Sequence, residues 1–528
     1  MKKLLLILIL FASVVFAQNE QQNIELPDFI ITGRQAIDIP AAQKPRTELI
    51  SILSKDFFTP QYSSEELPFL ITSAPVAIYP SIKSSENYFN GNVKIMLGKE
   101  TMPYGLLNLS QSFDYYLLNL KAWGTNVKDY QPFSDYNSSG IELSNDFSIS
   151  TRSEFMPGAK ILADAKYYRD SYYMFGSITP AQLREKNNGE ARVAFSSLYS
   201  KIFNLALGLT GNLFSLNENS LKETNVLADG KINFRWNGLM FGGKAELKRQ
   251  TLSNNLSGKG SYNNLSTEAY VEAALNGSLW INAGAYFNTN TSTNMFSPFV
   301  TVELLIDKGL TFGAEYKPKV DFFTMKNLLE KNPFATLGLT DNVFTKYYND
   351  LSATLRYEYQ KIFSVAFLAN FAKIDNYLYY EDLLNVGKFD IQTAVGVQVL
   401  KSKLNFYLQP AQFGSLFAEA IVQDVRDIND QRIPYEPVFI SSFSYNYSFN
   451  SSFGFGVKYK IAMQAYADLK NTQTINNYTD LSASVWYELF GGLKLTADFQ
   501  NILNRSNFAW KQYQEKPFDY LFGFEYRW

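Results

Sequence analysis

The chain has no cysteine and no histidine. The first absence excludes disulfides and thiolate nucleophiles, the second excludes imidazole bases, and together they remove the side chains that hold nearly every zinc ion. Common hydrolase and metalloenzyme arrangements therefore have no residues to use. Charge of one sign is also lacking: 48 basic and 50 acidic residues give a net charge of −2, which offers no electrostatic reason to bind nucleic acid. Beyond residue 17 no apolar run approaches the roughly 20 residues that a membrane-crossing helix needs. A helical inner-membrane protein is excluded on that ground.

The apolar run that does occur is at the front. MKKLLLILILFASVVFA places lysines at Lys2 and Lys3, an apolar stretch from Leu4 to Val15 and a small residue at Ala17, the pattern of a cleaved secretory signal peptide. The domain reading is accordingly signal peptide over 1–17, an N-terminal periplasmic segment or reduced plug over 18–88, and a body over 89–528. With no cysteine near the cleavage site, lipid anchoring is excluded.

The body alternates with period two, in segments renewed about every 20 residues, which is strand periodicity rather than helix periodicity. In AKILADAKY, Ala159, Ile161, Ala163, Ala165 and Tyr167 oppose Lys160, Asp164 and Lys166. The same split of a dry and a wet face recurs in GIELSNDFSI, with Ile141, Leu143, Phe147 and Ile149 against Glu142, Ser144, Asp146 and Ser148, and in LKLTADFQ near residue 493. Connections alternate in length: short turns at 275–278, 306–309 and 358–363, long polar links at 124–137, 169–187 and 317–347. Aromatic residues make up 16% of the chain, and the final stretch FDYLFGFEYRW puts Phe518, Tyr520, Phe522, Phe524, Tyr526 and Trp528 on one face.

Lipid offers no hydrogen-bond partner, so a sheet that spans a membrane must close on itself. Half-apolar strands, sorted connections and an aromatic terminal strand together predict an all-β, up-and-down antiparallel transmembrane barrel of about 22 strands, with the last strand closing against the first. The count is open at 387–410, which reads either as two strands or as one strand and a loop. The even number expected of bacterial barrels requires the second.

The C-terminal part resembles the TonB-dependent receptors of the bacterial outer membrane. The resemblance is carried by the strand, loop and returning strand of SLFAEAIVQDVRDINDQRIPYEPVFISSFSYNYSF, by the next strand pair, and by FQNILNRSNF. In that last motif Asn501, Ile502, Leu503, Asn504, Arg505 and Phe508 match the family's Asn-Leu-Phe-Asp/Asn-Arg/Lys pattern with its later aromatic. At the front, ELPDFIITGR looks like the stretch near the family's coupling box, with Leu26, Phe29, Ile30, Ile31, Thr32 and Gly33 as a docking segment able to add to a partner's sheet edge. The family's glycine-rich plug has no counterpart, since residues 18–88 hold a single glycine, Gly33.

The resemblance implies uptake of a nutrient or other small ligand across the outer membrane. It implies membrane lipid, the barrel-assembly machinery, an inner-membrane TonB-type coupler and an unidentified small molecule as partners. No cofactor, metal site or catalytic set is expected. Glu142, Asp146, Lys160, Asp164 and Lys166 read as a wet lumen wall, and Phe322, Phe323, Phe334 and Phe344 in the longest loop read as ligand contacts or as packing of the loop on itself. A passive channel and a structural or assembly barrel remain as alternatives.

Overall fold

The computed structural model describes residues 90–528 apart from 151, 155, 198–201, 254–259, 339–342, 361, 410–412 and 450–451. The expectations for the signal peptide, the segment 18–88 and the docking stretch Leu26 to Gly33 lie outside the described residues.

Twenty-two antiparallel strands form one closed barrel. The first strand, Gly91–Gly98, pairs on one side with Thr101–Phe113 and on the other with the last strand, Asp519–Arg527, so neither has an open edge. Closure at this seam leaves the backbone groups of both strands paired, which a lipid environment demands. Residues 387–410 resolve as one barrel strand and a loop. Val397–Leu408 lies between Phe363–Asp375 and Ser415–Arg426, while Asp390–Ala394 pairs with Tyr377–Glu381 as a hairpin within the loop. The even count follows.

The alternation sets which way each side chain points. On the last strand Tyr520, Phe522, Phe524 and Tyr526 are exposed, whereas Asp519 just before them and Leu521 among them are buried. On the strand Lys160–Tyr173, Ile161 and Tyr167 are exposed to the outside, while Asp164 accepts from Ser144 Oγ at 2.6 Å and Lys166 lies 5.8 Å from the Trp123 ring. The outer face is therefore apolar and aromatic, and the lumen wall is polar and largely self-paired. Lys403 pairs with Glu419 at 2.6 Å on the neighbouring strand and Lys94 with Asp498 at 3.1 Å two strands away, and Asn288 donates to Asn264 on the adjacent strand at 2.8 Å.

One end of the barrel carries tight turns. At Asn276 and Gly277, and at Gly309, φ is positive, the backbone that two-residue hairpins need and that glycine and asparagine tolerate best. The sorting of connections is looser than the sequence suggests. On the turn end the link 149–159 is long, and on the loop end the connections 99–100 and 291–293 are as short as turns. The strands also run further than expected: Tyr116–Val127 and Tyr136–Ser148 leave only 128–135 as loop within the polar stretch 124–137.

Candidate functional site: a capped mouth at the loop end

The largest concentration of buried apolar side chains joins inward-facing wall residues such as Phe214, Tyr262 and Phe299 to the loops above them. It lies at the loop end, where connections far apart in sequence pack together. The loop 317–343 begins as Lys319–Phe322, which pairs with the strand Phe344–Tyr359, and then turns into the helix α1, Met325–Lys331. Thr324 starts the helix: its side chain accepts from Asn327 N, and the Asn327 side chain accepts from Thr324 N at 3.2 Å, so two otherwise orphaned backbone donors are satisfied. Met325, Leu328 and Leu329 make up its buried face.

Five loops supply aromatic rings to the layer around this helix. Phe334 stacks on Tyr513 with ring centroids 3.5 Å apart, and Phe175 meets Tyr513 edge-on at 5.0 Å. Trp510 lies 4.5 Å from Tyr435 and 5.2 Å from Phe389. Such rings contribute about 0.5–1.5 kcal/mol per pair beyond the area they bury. Two tyrosines of the layer also have their hydroxyls satisfied. Tyr380 Oη donates to Leu328 O at 2.7 Å and Tyr513 Oη donates to Gly387 O at 2.7 Å. Burial pushes both phenols up, so they remain neutral donors.

Glycine permits the closest loop approach. Gly387 has φ of 72°, and a Cβ placed there would lie 2.1 Å from Gly176 O. Gly387→Ala is expected to loosen the cap alone, since the left-handed backbone by itself costs an alanine about 1–2 kcal/mol. Hydrogen exchange should accelerate in 174–182 and 382–390 while the barrel strands stay protected; unchanged exchange in both loops would refute the close packing.

The cap is bound to the wall beneath it by buried polar contacts. Arg184, on the strand Leu183–Ser197, is 1% exposed. Its guanidinium donates to Pro333 O at 2.7 Å and Ala335 O at 2.9 Å, just past the helix, and its Nε donates to Glu218 at 2.8 Å. Glu223 accepts from Lys326 N at 3.2 Å and from Gln250 Nε2 at 2.9 Å, and Lys326 Nζ reaches Glu190 at 2.8 Å. Tyr168 Oη bonds Glu330. On the far side Lys331 meets Glu436 at 3.4 Å, and Glu436 also accepts from Tyr377 Oη at 2.8 Å.

The residues singled out in the sequence fall into three places. Phe322 and Phe344 stack on each other at 5.0 Å, both buried, Phe323 packs partly buried against them, and Phe334 stacks as described. All four thus belong to the interior of the cap. Asn501, Leu503, Asn504, Arg505 and Phe508 form the bend after the strand Leu493–Gln500. Asn501 and Asn504 hold positive φ, Asn501 Oδ1 accepts from Arg505 N at 3.1 Å, and Asn504 Oδ1 accepts from Phe518 N at 3.0 Å. Leu503 is exposed, and Phe508 opens the hairpin Phe508–Trp510. The terminal-strand aromatics from Tyr520 to Trp528 lie on the outer barrel face. The sequence reading missed Arg184, Glu223 and Glu436, because a charged residue near a strand end carries no mark that separates a buried anchor from a solvated side chain.

Below the cap, the lumen wall beside the seam forms a recess of about 470 Å³ lined by Lys94, Lys458, Asp480, Lys494, Asp498 and Arg527 among others. Among the described residues no acidic cluster is placed to hold a metal ion.

No family profile and no curated protein matches the sequence. Solved structures do. The ferric-catecholate import receptor Fiu of Escherichia coli K12 superposes with a TM-score of 0.64 at 10% identity, over 84% of this chain and 82% of that one. The FrpB iron transporter of Neisseria meningitidis gives 0.64 at 9% identity, over 84% and 82%. The ferric enterobactin receptor PfeA of Pseudomonas aeruginosa gives 0.62 at 9% identity, over 83% and 80%. The chain has the fold of an outer-membrane receptor barrel. At such identities the shared property is the fold, which agrees with the barrel expected from the resemblance to TonB-dependent receptors. The barrel departs from an open cylinder in that its own connections pack into its loop-end mouth.

Proposed function

We propose that this protein sits in a bacterial outer membrane and takes part in the uptake of a nutrient or other small ligand, as a receptor rather than as an enzyme. The observation that carries the proposal is a closed barrel with a polar lumen whose loop-end mouth is covered by a folded aromatic layer. A filled mouth suits selective passage and argues against a permanently open pore. The wall charges are mostly matched across strands, which suits a hydrated lumen and needs no chemical step.

In this proposal the signal peptide 1–17 directs export, the barrel-assembly machinery inserts 89–528 into lipid, and residues 18–88 act as a reduced plug or periplasmic segment. Leu26, Phe29, Ile30, Ile31, Thr32 and Gly33 dock on an inner-membrane TonB-type coupler by adding a short strand to its sheet edge. The loop aromatics Phe322, Phe323, Phe334 and Phe344 contact ligand once the cap has parted. The superposed proteins are a ferric-catecholate import receptor, an iron transporter and a ferric enterobactin receptor; the ligand of this chain is a matter for binding assays.

The test uses the full-length protein. Its affinity for the periplasmic domain of a TonB-type coupler from the same organism is measured by surface plasmon resonance, beside a variant lacking residues 25–34. Binding that disappears with the deletion supports energy-coupled uptake. Absence of binding in both, with large steady openings in a planar bilayer, would leave a passive channel instead.

A further inference from the structure

Charges on the lumen wall are mostly matched across strands, and the recess beside the seam contains one that is not. Five strands line it with four cations, Lys94, Lys458, Lys494 and Arg527, and three carboxylates, Asp480, Asp498 and Glu525. Lys94 lies 3.1 Å from Asp498 and Arg527 2.7 Å from Glu525, while Lys494 has Glu488 at 3.9 Å and the Trp486 ring centre at 4.2 Å. Asp480 accepts from Ser482 Oγ at 3.2 Å and from Asn501 N at 3.1 Å, and stands opposite Lys460. Lys458 is left without an ion pair among the described residues. The register gives the reason: its neighbours across the strands are Ser444 and Ser482, so no carboxylate faces it.

A polar group further along the recess is also left over. Thr496 is 8% exposed, and its Oγ1 has no hydrogen-bond partner among the described residues. Its cross-strand neighbours are Trp486 and Gly523; an indole N–H only donates and a glycine has no side chain, so neither offers the hydroxyl an acceptor. Between Lys458 and Thr496 lies Ser484, whose Oγ rests against Gly456, where a Cβ would be only 2.8 Å away. Glycine thus lets this hydroxyl lie in the floor. A buried hydroxyl without a partner is unfavourable, and a bound oxygen relieves it.

We propose that the recess binds a small, oxygen-rich organic anion, such as a sugar acid or a polycarboxylate. Its acid group meets Lys458, and its further oxygens meet the hydroxyls of Ser484 and Thr496. The shape selects for length: along the strand Tyr478–Phe490 the lining runs from Asp480 to Trp486, roughly 20 Å of extended chain. A compact ion reaches Lys458 alone, and an uncharged sugar leaves Lys458 unmatched. The site names the class of the small ligand in the uptake reading and rests on that reading for its place in transport. Binding itself is a property of the wall.

Isothermal titration of the purified full-length protein with glucuronate and citrate tests the site, with acetate and glucose as the short and the uncharged comparison. Saturable binding of at least one of the two larger anions is expected, with acetate and glucose each weaker by about ten-fold or more, the loss of a charged contact or of the hydroxyl set. Lys458→Ala should weaken the anion by about ten-fold and Thr496→Val by about three-fold, while Lys458→Arg retains binding. Lys121→Ala, which removes a lumen cation outside the recess, should leave it unchanged. Heat-modifiable gel migration confirms that each barrel is folded, and Lys458 is exposed, so its removal leaves no buried charge. Absence of saturable binding of both glucuronate and citrate, glucose binding as tightly as glucuronate, or equal losses in K458A and K121A would overturn the site. Anion binding without any contact to a TonB-type coupler would keep the site and remove only energy-coupled uptake.

Discussion

Replacing Asp519 with alanine is expected to destabilise the barrel by about 3–5 kcal/mol, the range for breaking a buried charged contact by removing one partner. Asp519 is fully buried at the loop end of the last strand. Its carboxylate accepts from Glu100 N at 2.9 Å and Thr101 N at 3.1 Å, which form the hairpin between the first two strands, and from Thr101 Oγ1 at 2.7 Å. Lys516 Nζ completes the set at 2.6 Å. One side chain therefore ties the last strand to the connection beyond the first, at the seam where the barrel closes. Alanine leaves two amide hydrogens without their acceptor and takes the carboxylate from Lys516, whose Nζ keeps Gln500 Oε1 at 2.7 Å. The urea midpoint of the folded-barrel band on unheated gels measures the loss. Asp519→Asn keeps one acceptor oxygen and should lose less; equal stability of the alanine variant and the native protein would remove Asp519 from the closure.

Phe522→Lys should cost about 2–4 kcal/mol, the penalty for a lysine on the lipid face at mid-depth of a barrel. Phe522 lies near the middle of Asp519–Arg527 and is 54% exposed, which in water would be a liability and in lipid is the favoured state. Tyr520→Lys, two residues nearer the loop end, should cost less, because an ammonium there reaches the interface and the penalty falls to about 0–1 kcal/mol. The same gel-based unfolding series in lipid vesicles reads both. If the two substitutions cost the same, the exposed face of this strand does not meet a membrane gradient.

The same residues show how much was legible in the sequence. Period-two alternation is a local property, fixed by the pleat, so Ile161 and Tyr167 could be assigned to the outside, and Asp164 and Lys166 to the lumen, from neighbouring residues alone. The terminal aromatic strand was legible for the same reason. Loop lengths were legible only roughly, because strands such as Tyr136–Ser148 extend into polar stretches that read as connection. Pairing continues past the membrane wherever both strands supply backbone partners, whatever their side chains. The cap was not legible. Arg184 and Pro333 are 149 positions apart, and Phe334 meets Tyr513 from another loop altogether. No spacing rule connects such residues.

The sequence by itself thus determined the class of this protein: strands rather than helices, a closed sheet, an apolar outside and a polar inside. These follow from the short-range pattern and from the inability of lipid to satisfy a backbone hydrogen bond. The tertiary structure alone decided that 387–410 contributes one strand to the wall and that the aromatic loop residues face one another. It also decided that a seven-residue helix packs into the loop-end layer, with the chain at and just past its C-terminal end held by Arg184 and Glu436. The reason is geometric: closing a ring brings loops from opposite walls within reach of each other, and which of their side chains meet depends on the ring, not on their order in the chain.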